Sequence, residues 1–334
     1  MEDLLKVNNL SVSYHTRNGE VEAVRNISFN VKKGRTVAIV GESGCGKSAT
    51  AKALMRLNEN SPGEIKPESV VLYKDENIMK YSYKQMAQYL GGDVAMIFQD
   101  ALTALNPTMR IGKQIAENIM LHDKKISKKE AMKEAVKLLE YVGITNPEKR
   151  SRQYPHEFSG GMRQRVMIAI AIACKPSILI ADEPTTALDV TIQAQIIKLL
   201  KSLQKELNMS IILITHDLGI VADISHEIIV MYGGEIVETG TCDEIFYEAK
   251  HPYTKALLNA VTRIDETKNR LVAIDGAPPS LIKPGKGCTF YDRCEYASEV
   301  CKDKKPEKIV FSETHYSLCW KNKKDNEGGI LNGR

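Results

Sequence analysis

The chain lacks the features that would put it in a membrane, outside the cell or on nucleic acid. No apolar run reaches the roughly 18–20 residues a helix needs to cross a bilayer. The longest, Val166 to Ala173, is expected as a buried helix. The start, Met1-Glu2-Asp3-Leu4-Leu5-Lys6, has no basic cluster followed by an apolar block, so a secretory signal is not expected. A net charge of +4 is small for 334 residues, and no basic, aromatic-rich face suggests nucleic acid. These absences predict a cytosolic protein, where structural disulfides are rare. No Cys-x-x-Cys pair occurs among the seven cysteines, yet four of them crowd into the last fifth of the chain. With 43% hydrophobic and 26% charged residues the chain can bury a substantial core. Its length predicts two domains, or one large domain with an appendage.

What is present begins at Gly41-Glu42-Ser43-Gly44-Cys45-Gly46-Lys47-Ser48, which fits G-x-x-x-x-G-K-[ST] at every fixed position. The apolar, β-branched stretch Arg35 to Val40 precedes it as a buried strand, and Ala49 to Leu57 follows as a helix. In that context glycines let backbone N–H groups curl around phosphate oxygens, and the helix N-terminus adds partial positive charge. The expected phosphate-binding set is Gly41, Ser43, Gly44, Cys45, Gly46, Lys47, Ser48 and Ala49, with the Cys45 side chain at a free position. Lys47 is expected to reach the β- and γ-phosphates and Ser48 to hold Mg²⁺. A nucleoside triphosphate is the expected ligand.

Ahead of this loop, Leu4 to Tyr14 and Val21 to Val31 read as strands joined by a turn at Asn18-Gly19. Tyr14 is a candidate for stacking on a purine. Ser69 to Tyr73 and Asp93 to Gln99 read as further strands, with Gln99 at a strand end suited to touching Mg²⁺ or its water. From Asp100 to Tyr154 the pattern turns helical, and Ser127 with Glu130 forms a capping box. Such a stretch reads as a compact helical insertion in a nucleotide-binding sheet.

Ser159-Gly160-Gly161 then opens a helix running to about Cys174, with Ser159 as its N-cap. The apolar strand Ile178 to Glu183 ends in two carboxylates. Asp182 suits a Mg²⁺-holding acid, and Glu183 a base that polarises water for in-line attack. Thr186 to Asp189 forms a turn, Val190 to Leu207 a helix, and Ser210 to Thr215 a buried strand. His216 follows that strand and is a candidate γ-phosphate contact.

With these marks in this order, the chain resembles the ATP-binding subunits of ABC transporters from residue 4 to about 262. The resemblance implies Tyr14 for adenine stacking, Gly41–Ser48 as phosphate loop, Gln99 as Q-loop residue and Ser159-Gly160-Gly161 as signature. It likewise implies Asp182 and Glu183 as Mg²⁺ and catalytic acids, Asp189 as D-loop end and His216 as switch histidine. The signature departs from the commonest form, with Phe158 in place of a leucine and Met162 in place of a glutamine. The implied fold is an α/β phosphate-loop core (residues 1–262) with an antiparallel β layer and an inserted helical part at about 100–158. A small irregular C-terminal domain with cysteines (263–334) completes it.

Leu105-Asn106-Pro107, Thr186 to Gln195, His251 to Leu258 and Gly276-Ala277-Pro278-Pro279 resemble the oligopeptide and dipeptide importers, although Asp100-Ala101 stands where many relatives have Asp-Pro. Phe158 with Met162 is similar to the first, D-type, of that system's two ATPases. The implied partners are two membrane permease subunits, a second related ATPase in a head-to-tail heterodimer and, indirectly, an extracytoplasmic peptide-binding protein. No nucleic acid is implied, and the implied location is peripheral, at the cytoplasmic face of the membrane. The alternatives are soluble ABC ATPases of nucleic-acid repair or translation, or of iron–sulfur assembly.

Cys288, Cys294, Cys301 and Cys319 suit either a [4Fe–4S] cluster or a structural Zn²⁺, with His315 as another candidate zinc ligand. The missing Cys-x-x-Cys knuckle weighs against zinc. Gly287 to Cys294 resembles the peptide-importer C-terminal domain, whose members can carry such a cluster. The polar segment Lys321 to Arg334 is expected to be disordered.

Overall fold

The structure is a computed structural model and describes residues 2–58, 62–260 and 274–323. The expected domain boundary near residue 262 lies outside the described residues. By its internal contacts the chain forms two compact units. One gathers Lys80–Ile214 with short N-terminal flanks. The other gathers Leu4–Asn30, Val37–Met79 and the described residues after Ile214.

The second unit opens with two long strands, β1 (Asp3–Thr16) and β2 (Gly19–Lys32). In β1 the buried positions run Leu5, Val7 and then Leu10, Val12, so the alternation slips by one at Asn9. Asn9 sits in the left-handed region at φ 51, a conformation asparagine tolerates better than branched residues. Then come β3 (Thr36–Val40), β4 (Gly63–Ile65), β5 (Val70–Tyr73) and β6 (Glu76–Asn77). An antiparallel sheet runs β2-β1-β5-β6, with β4 also paired to β1. All five residues of β3 are buried, the pattern of a strand covered on both faces. The helix after it is Lys47–Leu54 rather than Ala49–Leu57. It starts earlier because the phosphate loop runs directly into it, and Arg56, in the left-handed region at φ 51, closes it.

The first unit carries three parallel strands, β7 (Val94–Ile97), β8 (Ile178–Asp182) and β9 (Ser210–Ile214), paired β7-β8-β9 and fully buried. The helix Gly160–Ile172 packs against β7, and the helices Ile111–His122 and Lys128–Tyr141 pack on that helix and on each other. The expected run from Val166 lies inside the last of these. The Ser127/Glu130 capping box forms as expected, and Ser159 caps Gly160–Ile172. The strand expected to end at Gln99 instead stops at Ile97, where its pairing with β8 ends, so Gln99 lies beyond the sheet.

The chain returns to the second unit with β10 (Glu227–Tyr232), parallel to β3, and β11 (Glu235–Thr241), antiparallel to β10 through a Gly233-Gly234 turn. Two short tail strands, β12 (Ile309–Val310) and β13 (Tyr316–Ser317), extend this edge, with β13 on β11. Tail residue Phe290 joins the core formed by Val40, Val230, Tyr232 and Tyr253. The tail therefore borrows an existing core, as a segment without its own apolar pattern must. Disorder expected from Lys321 does not begin there: Trp320–Asn322 form a helical turn, and Lys323 pairs with Glu307 at 3.0 Å. The expectation for residues 324–334 lies outside the described residues.

Candidate functional site

In the second unit the loop between β3 and the Lys47–Leu54 helix has the shape its sequence predicts. A side chain at Gly41 would put its Cβ 2.2 Å from the Met231 carbonyl oxygen, and one at Gly46 would meet the Ala23 carbonyl at 2.3 Å. Both glycines also have positive φ, 150 and 107, so the loop requires glycine at both positions. Lys47 is buried, and its ammonium donates to the Gly41 and Glu42 carbonyls at 2.7 and 2.8 Å. An anion entering the loop meets that ammonium and the N-terminal N–H groups of the helix together. Ser43 and Gly44 are exposed on the loop, while Ser48 and Ala49 lie in the helix's first turn. Cys45 is buried, and burial raises its thiol pKa against the pull of Lys47.

Tyr14, half-buried in β1 opposite Gly63, accepts a hydrogen bond from the Asn58 amide at 3.3 Å. Thr215 donates its N–H to Ile39 of β3 at 3.4 Å, which sets the exposed His216 beside the strand that feeds the phosphate loop.

In the first unit Asp182, buried, is the last residue of β8. Glu183 follows at φ 47, a strained value for a side chain with a Cβ, and its N–H donates to Ile214 at 2.8 Å. Its Oε2 accepts from the Gln99 amide at 2.9 Å and from the Thr186 hydroxyl at 2.8 Å. Gln99, expected to touch Mg²⁺ or its water, thus also holds through its amide N–H the carboxylate expected to act as base. Nothing in the sequence marks Thr186 as such a contact, because a threonine in a turn carries no pattern.

Ser159 and Gly160 are exposed, and the Ser159 hydroxyl accepts from the Met162 N–H at 3.4 Å. A Cβ at Gly161 would meet Ile192 at 2.8 Å, so the signature packs against the first turn of the Val190–Leu207 helix. Asp189 caps that helix, accepting from Ile192 N–H at 2.9 Å. Signature and D-loop therefore form one exposed ledge within this unit.

In the tail, Cys288, Cys294, Cys301 and Cys319 line one cavity of about 580 Å³ together with His251 and Trp320. All four are free thiols. Burial, with the other three sulfurs, pushes the Cys288 thiol up to about 12, and burial takes Cys319 to about 11. Among the described residues, the ligand atoms found mutually within 4.8 Å are those of His15, Glu20 and Glu64, not three of these sulfurs. His315, weighed as a zinc ligand, does not line the cavity; its Nε2 is 2.9 Å from the buried Glu238 carboxylate.

Residues 24–186 match the ABC transporter family, and residues 237–301 match the oligopeptide/dipeptide transporter C-terminal region. The chain is 51% identical over 319 residues to the dipeptide transport ATP-binding protein DppD of Lactococcus lactis subsp. cremoris, covering 96% of this chain and 91% of that one. It is 52% identical to the oligopeptide transport ATP-binding protein OppD of Bacillus subtilis, over 95% of this chain and 88% of that one. Among solved structures it resembles the ATP-binding cassette MJ0796 in a dimeric post-hydrolysis state bound to ADP and Pi. That match has 26% identity and a TM-score of 0.64, over 71% of this chain and 98% of that one.

Proposed function

The chain belongs to the ATP-binding subunits of oligopeptide and dipeptide ABC transporters, and on that premise we propose how its parts divide the work. It hydrolyses ATP to drive peptide transport. Identity to named peptide-transport subunits over nearly the whole chain tells against a repair, translation or iron–sulfur assembly ATPase.

The division of labour is our reading. Residues 1–262 form the nucleotide-binding domain, with a helical part at about 100–158, and 263–334 the C-terminal domain. Gly41, Ser43 to Ala49 and Lys47 in particular bind the phosphates, and Tyr14 stacks on the base. Ser48, Asp182 and Gln99 would hold Mg²⁺, which would supply positive charge beside the phosphates. Glu183 takes the proton of the attacking water, and His216 contacts the γ-phosphate. The fixed Glu183 carboxylate, held at one oxygen by Gln99 and Thr186, is the observation that carries this reading.

Ser159-Gly160-Gly161 and Asp189 close over the nucleotide of a second, related ATPase, head to tail. The exposed signature ledge supports that role. The helical part meets two membrane permeases, and peptides reach them from an extracytoplasmic binding protein. No helix among the described residues is long and apolar enough to cross a membrane, which agrees with a peripheral place on its cytoplasmic face.

Cys288, Cys294, Cys301 and Cys319 hold a [4Fe–4S] cluster with a structural role. Four thiols on one cavity suit it, and no three of their sulfurs lie mutually within 4.8 Å, whereas Zn–S bonds of about 2.3 Å would set all four roughly 3.8 Å apart. When bound, the cluster supplies Fe–S bonds that cross-link the tail.

The test is peptide uptake into vesicles carrying the permeases, binding protein and both ATPases. Uptake should need ATP and stop with Lys47→Ala in this subunit. Uptake that continues without this subunit would overturn the reading.

A further inference from the structure

The phosphate loop is gripped by the tail. Arg293, with 4% of its side chain exposed, lies against Glu42, the second residue of the loop. Its two terminal nitrogens donate to the two carboxylate oxygens of Glu42 at 2.6 and 3.0 Å, the fork geometry in which arginine binds most firmly. The rest of the guanidinium is also committed. Nε donates to the Asp275 carbonyl at 2.8 Å, and the terminal nitrogens reach the Ile274 carbonyl at 3.0 Å and the Tyr232 hydroxyl at 3.1 Å.

Glu42 is held on its main chain as well. Its N–H donates to the Tyr253 hydroxyl at 2.8 Å, and its carbonyl accepts from Lys47 at 2.8 Å. Carboxylate, N–H and carbonyl are therefore all engaged, and moving Arg293 pulls on the residue that Lys47 also holds.

Arg293 cannot shift alone. It ends the turn Tyr291–Arg293, where its N–H donates to the Phe290 carbonyl at 3.1 Å. The Phe290 ring meets Tyr232 edge-on at 5.1 Å and lies 5.4 Å from Tyr253. The next residue is Cys294, whose N–H donates to Tyr291 at 3.2 Å and whose thiol faces the cysteine cavity. Cys288, at the other end of this stretch, donates its N–H to Cys301 at 2.7 Å.

We infer that the cysteine-bearing tail sets the shape of the phosphate loop, with Arg293 as a positioning residue acting through Glu42. This rests on reading residues 41–48 as the nucleotide site. The tail thereby tunes ATP affinity rather than adding a group to the chemistry.

The experiment measures MgATP affinity of the full chain by titration with a fluorescent ATP analogue, with melting temperature recorded alongside. Arg293→Lys keeps the charge but loses the fork, and Glu42→Gln keeps the shape but loses the charge. Each should weaken binding about tenfold, and the double variant should be no weaker than either single. Cys294→Ser should weaken binding too, and add nothing in the Arg293→Lys background. Should Arg293→Lys fail to fold, Glu42→Gln with and without Cys294→Ser makes the same comparison. Affinities within twofold of the parent in folded variants, or losses that multiply, overturn the clamp. A Lys47→Ala control separates the premise from the inference. Loss of binding there with no effect at Arg293 rejects the clamp alone, whereas retained binding rejects the nucleotide site itself.

Discussion

Gln99 Nε2 lies 2.9 Å from Glu183 Oε2, although 84 residues separate them in sequence. A glutamine that donates to the carboxylate we propose as the base orients it without neutralising it, and it stands just before the helical stretch. Under that proposal, movement of the stretch would act directly on the base.

Glu183→Gln should therefore bind ATP with near-parental affinity and lose nearly all turnover, since shape and the Mg²⁺ ligands survive. Gln99→Ala should lower turnover less, because Thr186 still holds the carboxylate at 2.8 Å. Single-turnover hydrolysis under saturating ATP measures both. If Glu183→Gln kept more than about a tenth of the parental rate, a barrier change below about 1.4 kcal/mol, the assignment of the base would fall.

The exposed ledge of Ser159, Gly160 and Asp189 predicts an assembly. With Glu183→Gln, ATP and the related ATPase present, light scattering should report a dimer, and without ATP monomers. Gly161→Val should abolish ATP-driven dimers while sparing ATP binding by the monomer, because a Cβ there already meets Ile192 at 2.8 Å. A monomer under all these conditions would count against a shared nucleotide site.

The extent to which the site was legible depends on how far its contacts reach along the chain. The phosphate loop, the Ser127/Glu130 box and the caps at Ser159 and Asp189 are local, so a few residues specify each of them. Arg293 and Glu42 lie 251 residues apart, and an arginine beside a cysteine carries no sign of its partner. The sequence does not mark the strand end before Gln99, because strand length is set by where the neighbour stops pairing, here at Ala181 opposite Ile97. Two-residue strands such as β12 and β13 are too short to show alternation at all.

Tail docking should be acid-sensitive through Glu244. Burial alone would raise its pKa, but hydrogen bonds from the Ser312 hydroxyl, the Thr241 N–H and the Thr314 hydroxyl outweigh it and bring the carboxyl down to about 2. The folded value lies below the ordinary 4.5, so this carboxylate stabilises the fold above that pH and the contribution is lost as pH falls through about 2. Glu244→Gln should cost about 1.5–3 kcal/mol at neutral pH, the range for hydrogen bonds to a charged group. Urea midpoints for the two proteins should converge as pH drops below 4.5. A gap that stays constant down to acid pH would show that the charge is not what holds Ser312 and Thr314.

The cysteine cavity makes the last prediction, and its chemistry decides between outcomes. Desolvation pushes up the thiols of Cys288, to about 12, Cys319, to about 11, and Cys294, so these neighbours on one cavity are poor company as thiolates unless a cation binds them. A single zinc ion would draw the sulfurs to within about 3.8 Å of each other, whereas an iron–sulfur cluster bridges a wider set. Protein purified without oxygen should be brown, with broad absorbance at about 400 nm that bleaches on reduction and about four iron atoms per chain. Cys319→Ser, beyond the matched C-terminal region of residues 237–301, should lose iron as fully as Cys288→Ser within it. Because the sulfurs sit among Phe290, Trp320 and the core of the second unit, iron loss should also lower the melting temperature. Colourless protein with one zinc per chain would overturn the cluster and leave a structural metal. Protein with neither metal, unchanged in melting temperature by any of the four serine substitutions, would reduce the cavity to packing.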